Sequence, residues 1–281
     1  MIPYVTLPTV DLWGLELRPF FVLVVLGIVV GVLVYDRICR KGGVIDPKVA
    51  LHLPELCLLG GFVGAHLVHV LFYHPELMND DPWVLFKIWG GFSSIGGFLG
   101  GSVAGVVYLL LKKQGIRAYG DRMLFSLCIG WIFGRTGCAV THDHPGKLSD
   151  FPLAVAFPGG ARHDLGLYEL LLTLCIVAVL MVLASKPRRA GSFMAAILLI
   201  YSPVRFLFDF LRAEDGRLAD SRYFGLTPAQ YGMILLFISA IYLWTTASKQ
   251  PLDVAYRPWE KNARNKEEPH ELSDHTGGAA Q

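Results

Sequence analysis

Three arginines occur where an apolar sequence has no ordinary use for charge. Arg135 lies in Gly134-Arg135-Thr136-Gly137, inside a long apolar run, and Tyr201, Arg205, Asp209 and Arg212 follow one another at steps of four, four and three. On a helix those steps share one face. A charge at mid-bilayer costs about 2.5–3.5 kcal/mol on insertion scales, and such residues face an internal cavity or partner. One reading is a buried structural ion pair between Arg205 and Asp209, which leaves Arg135 and Arg212 to find other partners. The other is an internal anion site that uses them all. Guanidinium groups bind phosphate bidentately and stay charged when poorly hydrated. The anion most available to such a site is a phospholipid headgroup.

A second cluster follows in Thr141-His142-Asp143-His144-Pro145-Gly146, then Arg162-His163-Asp164, with Tyr168-Glu169 opening the next apolar run. His142 and His144 form a feasible ligand pair for a metal, but no third ligand is fixed by the sequence. A general base beside a reaction centre is the better functional reading, and a solvated polar loop is the bland one. His66 and His69, at i and i+3, read as interhelical hydrogen-bond donors. Nothing here calls for a metal, an organic cofactor or a nucleic-acid partner.

The elements that must position these residues are membrane helices. The 281 residues are 53% hydrophobic and 17% charged, with a mean hydropathy of +0.48. Soluble domains carry nearer a quarter charged residues. Seven apolar runs reach spanning length: residues 19–38, 51–73, 93–111, 123–140, 165–184, 192–210 and 226–246. The expected fold is therefore all-α, a polytopic bundle of about seven transmembrane helices. The first 17 residues contain no Lys or Arg, so the first run reads as a retained anchor, not a cleaved signal.

Lys and Arg concentrate in alternate connections. Arg37, Arg40, Lys41 and Lys48, then Lys112, Lys113, Arg117 and Arg122, then Lys186, Arg188 and Arg189 share one side with the basic residues of the C-terminal tail. The positive-inside rule makes that side cytoplasmic and the N-terminus external. Residues 1–247 form the membrane domain, and residues 248–281 read as a polar, disordered cytoplasmic extension. Glycines inside the runs suit close helix approach. The Gly90-Gly91 and Gly96-Gly97 pairs suit a re-entrant or substrate-lining segment. The five cysteines form no CxxC pair and read as small buried residues.

In order along the chain, these segments resemble the bacterial prolipoprotein diacylglyceryl transferases. Gly90-Gly91-Phe92-Ser93 with Gly96-Gly97 is similar to that family's Gly-Gly-x-Ser-x-His-Gly-Gly. Gly134-Arg135-Thr136-Gly137 looks like the start of its Gly-Arg-Ile-Gly-Asn-Phe. Arg162-His163 with Leu167-Tyr168-Glu169 resembles Arg-His-Pro-x-x-Leu-Tyr-Glu. Tyr201, Arg205, Phe206, Asp209, Arg212 and Asp215 resemble the arginine-rich segment of its sixth span, and Gly225-Leu226-Thr227 with Gln230 the entry to its last. The chain departs from the pattern at Ile95, where the family has His, and at Cys138, where it has Asn. It departs again at Asp143 for Glu, His66 for Arg and Asp209 for Glu.

The resemblance implies transfer of a diacylglyceryl group from phosphatidylglycerol to the lipobox cysteine of a preprolipoprotein signal peptide. The setting would be the bacterial cytoplasmic (inner) membrane, with the bilayer itself as a partner. Arg135 and Arg205 would hold the phosphate, with Arg212 behind them. Asp143, His142 or His163 would take the thiol proton, and His142 and His144 could replace the histidine missing at Ile95 by folding back over the third span. Tyr201, Asp209, Tyr168 and Glu169 would contact substrate, as would Gly96, Gly97, Gly134 and Gly137. Two rivals stay open: a relative that modifies another lipid or acceptor, and a phospholipid-binding protein without catalysis.

Overall fold

Inside lipid a backbone can satisfy its polar groups only as a helix or a closed barrel, and all seven apolar runs fold as helices. The computed structural model describes residues 1–12, 15–41, 44–87, 91–213 and 222–253. A short hairpin, β1 (Val10–Leu12) with β2 (Leu15–Leu17), precedes α1 (Pro19–Arg40). Then come α2 (Pro47–Val68), continued by a π-helical turn at His69–Tyr73, the single turn α3 (Leu77–Asp80), and α4 (Ser94–Leu111). The remaining long helices are α5 (Ile116–Thr141), α6 (Leu165–Leu183), α7 (Ser192–Phe208) and α8 (Pro228–Thr245). Six of them are long and apolar enough to cross a membrane; α4 contributes a shorter apolar stretch, Ile95–Leu111.

Local chemistry sets the helix starts. Pro occupies the first turn of α1, α2 and α8, where its missing N–H costs nothing. Asp46 accepts from the Lys48 N–H, Asp164 from Leu167, and Thr227 forms a reciprocal capping box with Gln230. The helices then pack chiefly as α2 with α4, α1 with α5, α7 with α8 and α5 with α6. Ile38, Phe125, Leu172, Ile176, Phe193 and Ile197 bring α1, α5, α6 and α7 into one buried cluster.

The α2–α4 contact is a glycine seam. A methyl group on Gly96 would lie 2.4 Å from the Gly64 carbonyl oxygen, and one on Gly100 would lie 2.3 Å from that of Gly60. Gly96 and Gly97, expected to line a substrate path, are thus placed in regular helix against α2. Gly91 has φ +112 and presses on the His69 ring, where a Cβ would come within 2.2 Å of Nε2. Gly90, Asp215 and the tail beyond residue 253 lie outside the described residues.

The structure adds sheet to the expected all-α architecture. Between α5 and α6 the chain forms β3 (Pro145–Leu148), β4 (Val155–Phe157) and β5 (Gly160–Asp164), antiparallel in the order β3-β5-β4. Prolines and glycines bar helix here, and Pro158-Gly159 closes the β4–β5 hairpin with Gly159 at φ +95. Ordered chain also continues past residue 247. β6 (Arg188–Arg189) pairs with β7 (Leu252–Asp253), and the fully buried Asp253 takes bonds of 2.6 and 3.0 Å from Arg122.

Candidate active site

The arginines predicted to share a site do meet, and the residue that joins them is Glu169. Arg135 comes from the C-terminal half of α5, Arg205 from the last turn of α7, and Glu169 from the second turn of α6. Arg135 Nη2 lies 2.6 Å from Glu169 Oε2, and Arg205 Nε lies 3.2 Å from Oε1. One carboxylate therefore bridges two guanidinium groups from separate helices. Arg205 Nη1 also donates to Asp209 at 3.0 Å, and Arg212 Nη1 stands 3.9 Å from the same carboxylate oxygen. The side chains of Arg135 and Arg205 are each 13% exposed, that of Glu169 5% and that of Asp209 not at all.

Charge in this centre does not cancel. Three guanidinium groups against two carboxylates leave one net positive charge among these side chains. Arg135 Nε is buried with no hydrogen-bond partner among the described residues, while its guanidinium stacks 4.8 Å above the Trp131 ring. The Tyr201 hydroxyl completes the cluster through a contact with Arg135. A Cβ on Gly134 would meet nothing within 4 Å, whereas Gly137 packs on Phe20. Open space therefore lies beside Gly134. The arrangement suits an anion that takes the unused Arg135 donor.

Asp209 and Arg205 do form the expected ion pair, yet it is part of this larger centre. Asp209 also accepts from the Thr227 hydroxyl, fastening the end of α7 to the start of α8. Asp209 thus shares its oxygens among Arg205, Arg212 and Thr227 and holds Arg205 in place. Arg222 donates to the Asp209 carbonyl at 3.3 Å and closes the connection.

The histidines divide. His142 ends α5 in the left-handed conformation, φ 52, with Nδ1 2.5 Å from Asp164 and Nε2 3.2 Å from the Val5 carbonyl. Tyr4 stacks on its ring. Both ring nitrogens therefore face partners within the chain, the Asp164 carboxylate and the Val5 carbonyl, and the ring is held in place by them. His163 bonds the Tyr168 hydroxyl at 2.8 Å, and burial pushes its pKa below the usual value. His144 bonds Asp143, and that bond together with Cys138 pushes its pKa up to about 9. His66 is buried and bonds the Val84 carbonyl at 2.9 Å, so it braces the α2–α4 connection.

Comparison with known proteins decides the kinship. The family model described as prolipoprotein diacylglyceryl transferase matches residues 9–246. The chain belongs to this family. It is 31% identical over 202 residues to the phosphatidylglycerol–prolipoprotein diacylglyceryl transferase of Chromohalobacter salexigens, covering 70% of this chain and 76% of the relative. The corresponding protein of Idiomarina loihiensis is 33% identical over 197 residues, 68% and 74% of the two chains. That of Mannheimia succiniciproducens is 36% identical over 171 residues, 59% and 63%. The chain is thus a multi-pass helical membrane protein of the diacylglyceryl transferase family.

Within this family member, sequence reasoning listed Glu169 but missed its bridging role. The available signal was a carboxylate one turn inside an otherwise apolar helix. Trp131, one turn before Arg135, and Thr227, a helix cap, gave no separate sign. Cys138 stood out only as a departure from the family pattern. The structure sets its Sγ 3.9 Å from Arg135 Nη1 and beside Asp143 and His144.

Proposed function

We propose that this family member transfers a diacylglyceryl group from phosphatidylglycerol to the cysteine thiol of a preprolipoprotein signal peptide. It would do so in the bacterial cytoplasmic membrane as a seven-helix bundle, N-terminus outside and C-terminus inside. The observation that carries the reading is the meeting of Arg135 and Arg205 around Glu169, with the Arg135 Nε donor unused.

In this mechanism the two arginines hold the donor's phosphate beside the opening at Gly134, and Arg212 adds positive charge behind them. The acceptor sulfur attacks the glyceryl carbon that bears the phosphate oxygen. A C–S bond forms, the C–O bond breaks, and glycerol phosphate leaves with the electron pair. The guanidinium groups neutralise the leaving phosphate as its charge develops. Glu169 and Asp209 fix the two arginines in place. His163, which is held by Tyr168 one residue from Glu169, takes the thiol proton.

The test is transfer from phosphatidylglycerol to a lipobox peptide, read as the mass increase of the thioether product. Arg135→Ala and Arg205→Ala should each lower the rate about 100-fold or more while the proteins still insert. Arg→Lys at either site should restore little, because a point charge does not reproduce the forked contact. A wild-type protein that leaves the peptide unmodified would refute the proposal.

A further inference from the structure

The turn that closes α5 gathers a group of side chains that the arginine centre does not use. Cys138, Asp143 and His144 each direct a ligating atom to one place, all within 4.8 Å of one another. Among the described residues this is the one such group of three. Cys138 is buried, His144 half-buried and Asp143 exposed, so the group has a protein wall on one side and access on the other.

We propose that Cys138, Asp143 and His144 form a binding site for a single divalent ion of the zinc class. The donor set argues for that class. A thiolate is a poor ligand for magnesium or calcium, while mixed sulfur, nitrogen and oxygen donors suit zinc. Thiolate and carboxylate together neutralise a dication, and neutral imidazole adds the third bond. An ion about 2.0–2.3 Å from each donor needs those donors about 3.5 Å apart, so the group must draw in by about 1 Å. Asp143 and His144 lie beyond the end of the helix, so rotation of their side chains can supply this movement without disturbing α5.

Three protein ligands leave one tetrahedral position open, the arrangement of catalytic and not structural zinc. Cys138 Sγ touches Arg135, so the ion would sit one side chain away from the guanidinium centre. Resting on the transferase reading, the open position takes the acceptor's cysteine. Its thiol gives up its proton to His163 on binding, because a coordinated thiol is deprotonated. The metal-bound sulfur then makes the C–S bond as glycerol phosphate departs with the C–O electrons. A metal-held thiolate would thus supply the nucleophile in a chain that has Ile95 where the family has histidine.

The experiment uses the full chain in detergent, stripped with chelator and titrated with Co²⁺. One cobalt should bind per chain, with a thiolate-to-cobalt charge-transfer absorption and tetrahedral visible bands, and Zn²⁺ should bleach both. Cys138→Ser should abolish the charge transfer, and His144→Ala or Asp143→Asn should weaken binding about tenfold or more. Thermal melting of each variant checks that it is folded. Adding a lipobox peptide should strengthen the charge-transfer band, and its serine counterpart should not. No cobalt uptake, or the same spectrum in Cys138→Ser, would overturn the site. Transfer that continues undiminished in chelator would overturn the ion's part in the reaction while leaving the transferase reading intact. A cobalt-binding protein that never lipidates the peptide would sink the transferase reading and leave the site standing.

Discussion

Glu169→Gln tests the centre of this molecule most directly, because one carboxylate there serves two buried arginines. The substitution keeps size and hydrogen-bonding capacity and removes only the charge. Among the five side chains of the centre, net charge changes from three minus two to three minus one, that is from +1 to +2. Removing one partner of a buried ion pair costs about 3–5 kcal/mol. At about 2–4 °C per kcal/mol for a chain of this class, the melting temperature in a maltoside detergent should fall by roughly 6–20 °C. A phosphate about 4 Å from a surplus guanidinium contributes about 4 kcal/mol at an effective dielectric of 20. Phosphatidylglycerol should therefore return most of the lost stability to the variant and add less to the wild type. Melting curves recorded in detergent alone and with added lipid measure this directly. An equal deficit in both conditions would refute the idea that a lipid phosphate can stand in for the carboxylate. No deficit in either would refute the bridge itself.

Asp253→Asn should destabilise the chain by about 3–5 kcal/mol, since it leaves Arg122 buried against a neutral side chain; faster proteolysis after residue 247 would report the loosened segment. Gly100→Val should cost about 1–3 kcal/mol or more by forcing α2 from α4, and Gly232→Ala, where a Cβ meets nothing within 4 Å, serves as the neutral control in the same melts. Burial lowers the pKa of His163 in the folded chain, while the unfolded imidazole takes its proton near pH 6.5. Its contribution is therefore full above that pH and declines as acidification charges the unfolded form first. His163→Gln should flatten the loss of stability as pH falls below about 6.5, seen as a smaller drop in melting temperature.

Hydropathy placed the long helices well because lipid imposes one rule on every buried backbone group. The same rule stops at the membrane edge, which is why residues 142–164 read as loop and fold as sheet: β3 and β5 are too short and too polar to alternate visibly. The arginines were legible as isolated charges in apolar runs, and their spacing placed Arg205, Asp209 and Arg212 on one face. What spacing cannot supply is a contact between helices. Glu169 joins α6 to α5 and α7, and Thr227 joins α8 to α7, through distances no linear pattern encodes. Gly96 and Gly97 show the converse: a motif with functional resemblance turned out to be a packing surface, because a neighbouring helix claimed the space. Cys138 looked inert until the turn after α5 folded Asp143 and His144 over it.

The seam between α2 and α4 has a mechanical consequence. With carbonyls of one helix resting against α-carbons of the other, neither can slide without lifting over the opposing backbone, so the two travel together as a single plank. A two-tailed lipid that reaches Arg135 must slip in where one plank meets the next, and its route is set by which neighbours the glycines have left unbolted.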